Sequence, residues 1–271
     1  MRVPTRAWAA APVLLALAMF SVDARAACAF GPTPSGGEPT LQAALNGLLS
    51  DAPDTVQDCL ADGTAPNGDA HWVTLSPTSA TILLEIAGFA NQNRFGLYDA
   101  ANPNNRIQIF SGPQGPGATA AITFTAAAGG GYNVTVTIGT SSWSTSTPFV
   151  GTAFGFYLRT PQNNTFFSDS ALNSGQVDRM YAYRGNGSQF ISGPVTTDGN
   201  PGNDLFGAND VILAYEDLVH GDNDYQDFVV LVRGVQPSVV PLPAAAWLLG
   251  SGLLGLGGLV RRRRREAAAS A

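Results

Sequence analysis

Between residues 50 and 240 the chain never keeps a helical apolar period for long before Gly, Pro or Asn interrupts it. This limits its possible folds more than any other feature. What survives between the interruptions is a period of two, the repeat of a strand with one face buried. The clearest case, Tyr132-Asn133-Val134-Thr135-Val136-Thr137-Ile138, sets Val134, Val136 and Ile138 on one face and polar groups on the other. It reads as a half-buried antiparallel strand.

Similar runs occur at 71–75, 81–89, 94–98, 106–110, 119–125, 153–158, 178–183, 211–215 and 227–232. Turn clusters such as Asn102-Pro103-Asn104 and the Gly/Pro-rich 112–117 separate them. One helix is expected, with Thr40 as its cap, Leu41, Ala44, Leu45, Leu48 and Leu49 on its apolar face, and a stop near Pro53. Without crossover helices, the expectation is an all-β protein, an antiparallel β-sandwich of jelly-roll type with one short N-terminal helix.

The two ends are different in kind. Arg2 and Arg6 precede the apolar stretch 7–20, and Ala24-Arg25-Ala26 offers a cleavage site before Ala27. These are the parts of a secretory signal peptide, so 1–26 is read as a signal-peptide helix and 27–236 as the exported region. At the other end the apolar run 244–260 spans roughly 25 Å as a helix, just enough to cross a bilayer. Arg261 to Arg265 follow it, and such a cluster stays on the cytoplasmic side.

The order Val240-Pro241-Leu242-Pro243-Ala244, apolar span, then arginines resembles the PEP-CTERM class of sorting signals in its VPLPA-CTERM variant. The resemblance implies that 237–265 is a sorting signal, ahead of a short tail at 266–271. It also implies an exosortase-type membrane protease as partner, a Gram-negative source, and a final place at the cell surface or in extracellular polysaccharide. A permanent single-span membrane anchor is the open alternative.

Cys28 and Cys59 are the only cysteines, and in an exported chain an even number is expected to pair. That disulfide would close a loop of about 30 residues and contribute ~3 to 4 kcal/mol. Removing Arg2, Arg6, Arg25 and the C-terminal cluster leaves six arginines, and no lysine, against eighteen acids. Nucleic acid is excluded as a partner by that balance, which favours cations and neutral polymers.

Eight of those acids fall between Asp198 and Asp227. Glu216, Asp217, Asp222, Asp224 and Asp227 surround Gly221 just before the apolar run 228–232. Such a loop can turn several oxygens inward on Ca²⁺, although its spacing is not that of an EF-hand. The competing reading is that the acids cap turns or form a solvated rim.

The same residues resemble a bacterial domain-of-unknown-function family of exported PEP-CTERM proteins. The pattern is Glu216-Asp217, then Gly221-Asp222, Asp224-Tyr225 and Asp227-Phe228-Val229-Val230, with support from Phe154-Gly155-Phe156-Tyr157-Leu158 and from Ser168, Asp169, Asn173 and Asp178. Arg179 and Phe167 stand where the pattern carries His and Tyr. The resemblance covers 151–234, with 30–150 as the part ahead of it, and implies a β-rich surface module without assigned activity.

Enzyme signatures are missing. His71 and His220 are the only histidines, neither lies in H-E-x-x-H or beside G-x-S-x-G, and no phosphate loop occurs. His71 is expected within a strand and His220 on a turn. The favoured role is non-enzymatic, structural or binding. Two alternatives stay open: a glycan hydrolase using Asp222, Asp224 or Asp227, and a glycan-binding module using exposed aromatics such as Trp143 or Tyr225.

Overall fold

The computed structural model describes residues 38–50, 59–60, 68–84, 89, 91–191, 204–219 and 224–238. The expected signal peptide, Cys28, His220, Asp222, the Val240-Pro241-Leu242-Pro243-Ala244 motif and the apolar run 244–260 lie outside the described residues. Among the described residues no helix is long and apolar enough to cross a membrane.

Helix α1, Leu41–Leu48, begins where expected, with the Thr40 hydroxyl accepting from the Ala43 amide at 3.1 Å. It stops short of Pro53, because Leu49 turns extended and bridges to Ile191. The strands that follow are β1 Trp72–Leu84, β2 Arg94–Asp99, β3 Asn102–Phe110, β4 Thr119–Ala126 and β5 Tyr132–Ile138. Next come β6 Ser141–Ser144, β7 Phe154–Arg159, β8 Thr165–Phe167 and β9 Met180–Arg184. Last are β10 Gln189–Ile191, β11 Asp204–Phe206, β12 Asp210–Tyr215 and β13 Phe228–Pro237. All their pairings are antiparallel, so the described residues are mostly antiparallel sheet with one short α-helix.

The long strand β1 unites what the sequence separated as a strand at 71–75 and the start of another at 81–89, and the sheet divides along it. One edge pairs with β13 over most of its length, with a register shift between Thr74 and Ser79. The other edge pairs with β7 at Trp72 and with β4 from Thr78 to Thr81. Two branches leave from there: β7, β2 and β3 in one direction, β4, β5 and β6 in the other. Their last strands meet again through the Trp143 indole N–H, which donates to the Gln108 carbonyl at 2.8 Å. The result is a nearly closed sheet with a seam between β3 and β6. Strands from either side of residue 150 alternate within it, as in the β2–β7 and β1–β13 pairs.

Its interior is aromatic, with Phe95, Phe110, Phe154, Phe156, Phe228 and Trp72 buried together. β12 and residues 228–232 of β13 are buried on both faces. Val211, Leu213, Tyr215, Val230 and Val232 point into this core, whereas Ile212, Ala214, Val229 and Leu231 meet Leu41 and Leu45 of α1 and Phe206 of β11. Burial on both faces explains why these strands read as continuous apolar runs.

β2 and β7 carry the two Phe-Gly stretches, and they pair with each other so that Gly96 faces Tyr157 and Tyr98 faces Gly155. Each tyrosine ring lies across the opposite glycine. A Cβ on Gly155 would overlap the Tyr98 ring, and one on Gly96 would fall 2.8 Å from the Tyr157 ring.

Candidate metal centre

Tyr215, the last residue of β12, pairs with Phe228, the first of β13, so the residues just outside that pair are brought face to face. Glu216 and Asp227 are those residues. Asp224 joins them from the connection, and one carboxylate oxygen from each of the three lies within 4.8 Å of the others. Glu216 is fully buried, Asp224 is 1% exposed and Asp227 is 8% exposed.

Hydrogen bonds hold the cluster in place. Glu216 Oε1 accepts from the Leu218 amide at 3.0 Å, and Asp227 Oδ2 accepts from the Asp217 amide at 2.9 Å. Asp217, also buried, turns its own carboxylate to Asn93, whose Nδ2 donates to Oδ2 at 2.8 Å. Gln226 Nε2 donates to Asp224 Oδ2 at 2.8 Å and reaches Glu38 Oε2 at 3.4 Å. Asn93 and Gln226 are themselves buried, and among the described residues Asn93 Oδ1 and Gln226 Oε1 have no hydrogen-bond partner. Buried oxygens in that state are costly, and an amide oxygen is a hard ligand of the kind that Ca²⁺ takes.

The electrostatics point the same way. Burial pushes the Asp227 carboxyl up to about 9, and the carboxylates of Asp217, Glu216 and Asp224 add to the shift against the opposing Asp217 amide. At neutral pH the site therefore either keeps a proton or exchanges it for a cation. Two oxygens on one Ca²⁺ at ~2.4 Å are at most about 4.8 Å apart, so the spacing of the triad admits a single ion.

Of the acids singled out in the sequence, Glu216, Asp224 and Asp227 converge. Asp217 stands beside them through its backbone and its bond to Asn93, and Asp222 lies outside the described residues. Asn93 and Gln226 were not expected. Gln226 was findable as the residue between Asp224 and Asp227, whereas Asn93 comes from 124 positions upstream with no local signal.

The rim of the loop is also built. Arg179 Nη2 donates to the Val219 carbonyl at 2.6 Å. Tyr225 adopts φ +57°, a left-handed conformation that costs energy for a tyrosine. Its ring stacks on Tyr181 at 3.9 Å and its hydroxyl donates to the Asp178 carbonyl at 2.9 Å. Tyr225 is thus a buried brace and not the exposed platform expected from the sequence.

Phe167 lies under the Arg106 guanidinium at 4.7 Å. His71 stands one residue before β1, buried, with Nε2 3.7 Å from Asp169 Oδ2. Burial lowers its pKa, and Asp169 opposes that shift. Cys59 bridges to Tyr183 by backbone, and its expected partner Cys28 lies outside the described residues. Comparison with protein-family models, curated proteins and solved structures found no match.

Proposed function

We propose that this chain is an exported, non-enzymatic surface or matrix protein whose β12–β13 connection is locked by a Ca²⁺ ion on Glu216, Asp224 and Asp227. One observation carries the cation reading: three buried carboxylates converge on a point that a single ion could occupy. An ion there would offset the burial and the neighbouring carboxylates that drive Asp227 towards its protonated form. It would also tie together the two strands that share the main core.

Between Asp224 and Asp227 the same spacing argues against a glycosidase. Its acid and base stand ~5 to 9 Å apart on either side of a sugar, and these oxygens are closer and buried. The rest of the reading is carried by the sequence. Residues 1–26 act as the signal peptide and Cys28 pairs with Cys59. The Val240-Pro241-Leu242-Pro243-Ala244 motif and the run 244–260 hold the chain in the membrane for an exosortase-type protease, and a jelly-roll-like sandwich forms the exported part.

Calorimetric titration of the full chain with CaCl₂, together with its melting temperature in chelator and in Ca²⁺, tests the cation site. Heat of binding and a rise in melting temperature are expected, and both should be lost in Glu216→Gln. Absence of both in the wild type would remove the ion from the account. Mass spectrometry of the exported form locates both processed ends and shows whether Cys28 and Cys59 are joined.

A further inference from the structure

The seam between β3 and β6 is a groove of about 700 Å³, lined among others by Arg106, Gln108, Gln114, Ser141, Trp143 and Ser144. That volume is in the range of ligand sites. Trp143 is half-buried, packed against the main core while it lines the groove.

The outer face of β3, β2 and β7 beside it carries an unusual concentration of charge. Arg94 and Arg159 are directly opposite each other in register, an arrangement that costs stability unless an anion lies between. The Arg106 guanidinium lies 5.6 Å from the Tyr157 ring, and all three arginines act on the Tyr157 hydroxyl. Half of the six arginines in the exported region therefore gather around one tyrosine. Among the described residues no carboxylate pairs with any of the three. Eighteen acids are present in the exported region, so this patch is not a by-product of composition.

We propose that this seam and the arginine face beside it bind an acidic polysaccharide, with Trp143 stacked on a pyranose ring and Arg106, Arg94 and Arg159 receiving uronate carboxylates. A planar guanidinium matches a carboxylate two bonds at a time, and an indole face matches the C–H face of a sugar. An added peptide strand fits less well. The Gln108 carbonyl on the β3 edge is already taken by Trp143, and the carbonyls of Thr147 and Pro148 are taken by Asn105 Nδ2 at 3.3 and 3.1 Å. The inference rests on the extracellular reading only for where the ligand is met. It shares no residue with the cation site, so either can fail alone.

The probe is a galacturonate hexamer titrated into the full chain, with a neutral galactose hexamer as control. Binding of the acidic hexamer, weakened by salt, is expected. Trp143→Ala and the double variant Arg94→Gln, Arg159→Gln should each weaken it about tenfold, and the melting temperature should hold in the double variant. The second variant keeps the test valid if Trp143→Ala perturbs the fold, because Arg94 and Arg159 are exposed. Glu216→Gln should bind the hexamer like the wild type.

Four results would overturn the proposal. They are no binding, equal binding of both hexamers, unchanged affinity in the arginine variant, or loss of binding in a folded Glu216→Gln chain. Capture of an uncharged extended peptide in place of either hexamer would assign the seam to strand addition instead.

Discussion

Replacing Asp227 by asparagine tests the charge balance of the acidic site directly. The Asp227 carboxyl is pushed up to about 9 in the folded chain, from 3.8 in an open peptide. Between those values the folded chain keeps a proton that the unfolded chain has released. Unfolding then releases a proton, and stability falls as pH rises through the window, by ~1.4 kcal/mol per pH unit. From pH 6.5 to 8.5, above the titration of an ordinary histidine, the loss is about 3 kcal/mol at most, since neighbouring carboxylates share the proton.

The amide introduced by Asp227→Asn would keep the bond from the Asp217 backbone N–H, because its oxygen can still accept, and would carry no charge at any pH. Denaturant unfolding in chelator, followed by tryptophan fluorescence, should show the wild type losing stability over this interval while Asp227→Asn stays level. Ca²⁺ requires the ionised carboxylates, so saturating Ca²⁺ should flatten or reverse the wild-type slope and leave the variant unmoved. Parallel pH profiles for the two proteins in chelator would refute the reasoning, as would a wild type that gains stability with pH.

Two further outcomes follow from other parts of the sheet. In Gly155→Ala the new methyl overlaps the Tyr98 ring, which is buried against Phe167 and Ser168, so a loss of ~3 kcal/mol is expected in chemical denaturation. A change below about 0.5 kcal/mol would mean that the ring does not lie where described. His71 titrates lower in the folded chain than its ordinary 6.5 because it is buried, with Asp169 and Tyr98 as its polar neighbours. The unfolded chain then binds the extra proton, and the stability advantage of His71→Gln over wild type should grow as pH falls below about 6.5. Equal acid sensitivity in the two proteins would count against this.

Segments whose own pattern settles their structure were legible in the sequence. Tyr132–Ile138 and the Thr40-capped helix occur with the expected start and faces. What was missed depends on neighbours. Asn102-Pro103-Asn104 reads as a turn yet lies in β3, where proline is tolerated because β3 is the last strand of its branch. β6, with Ser-Ser-Trp-Ser, has no apolar alternation and exists because β5 offers it an edge. β10 and β11 are three residues each and form a two-stranded sheet of their own, with Ile191 also bridging to Leu49 beyond α1.

The acids of the candidate site were legible as a group because the two strands that present them are joined by the loop that carries them. Asn93 was not, since only the folded sheet brings it to Asp217. The arginine face was equally hidden. Arg159 is far in the chain from Arg94 and Arg106, which lie on successive strands, and the three become neighbours through the pairing of β2 with β7 and β3.

The position of β13 has a mechanical consequence. It is flanked by β1 on one side and β12 on the other, antiparallel to both, and it is the last described strand before the tail. A pull applied beyond Pro237 would run along the strand axis. The hydrogen bonds on both flanks would then bear the load together in shear instead of parting one after another. A chain tethered by that end would resist drag through a strand held on both flanks, and its lifetime under tension would be set by how fast β13 slides out.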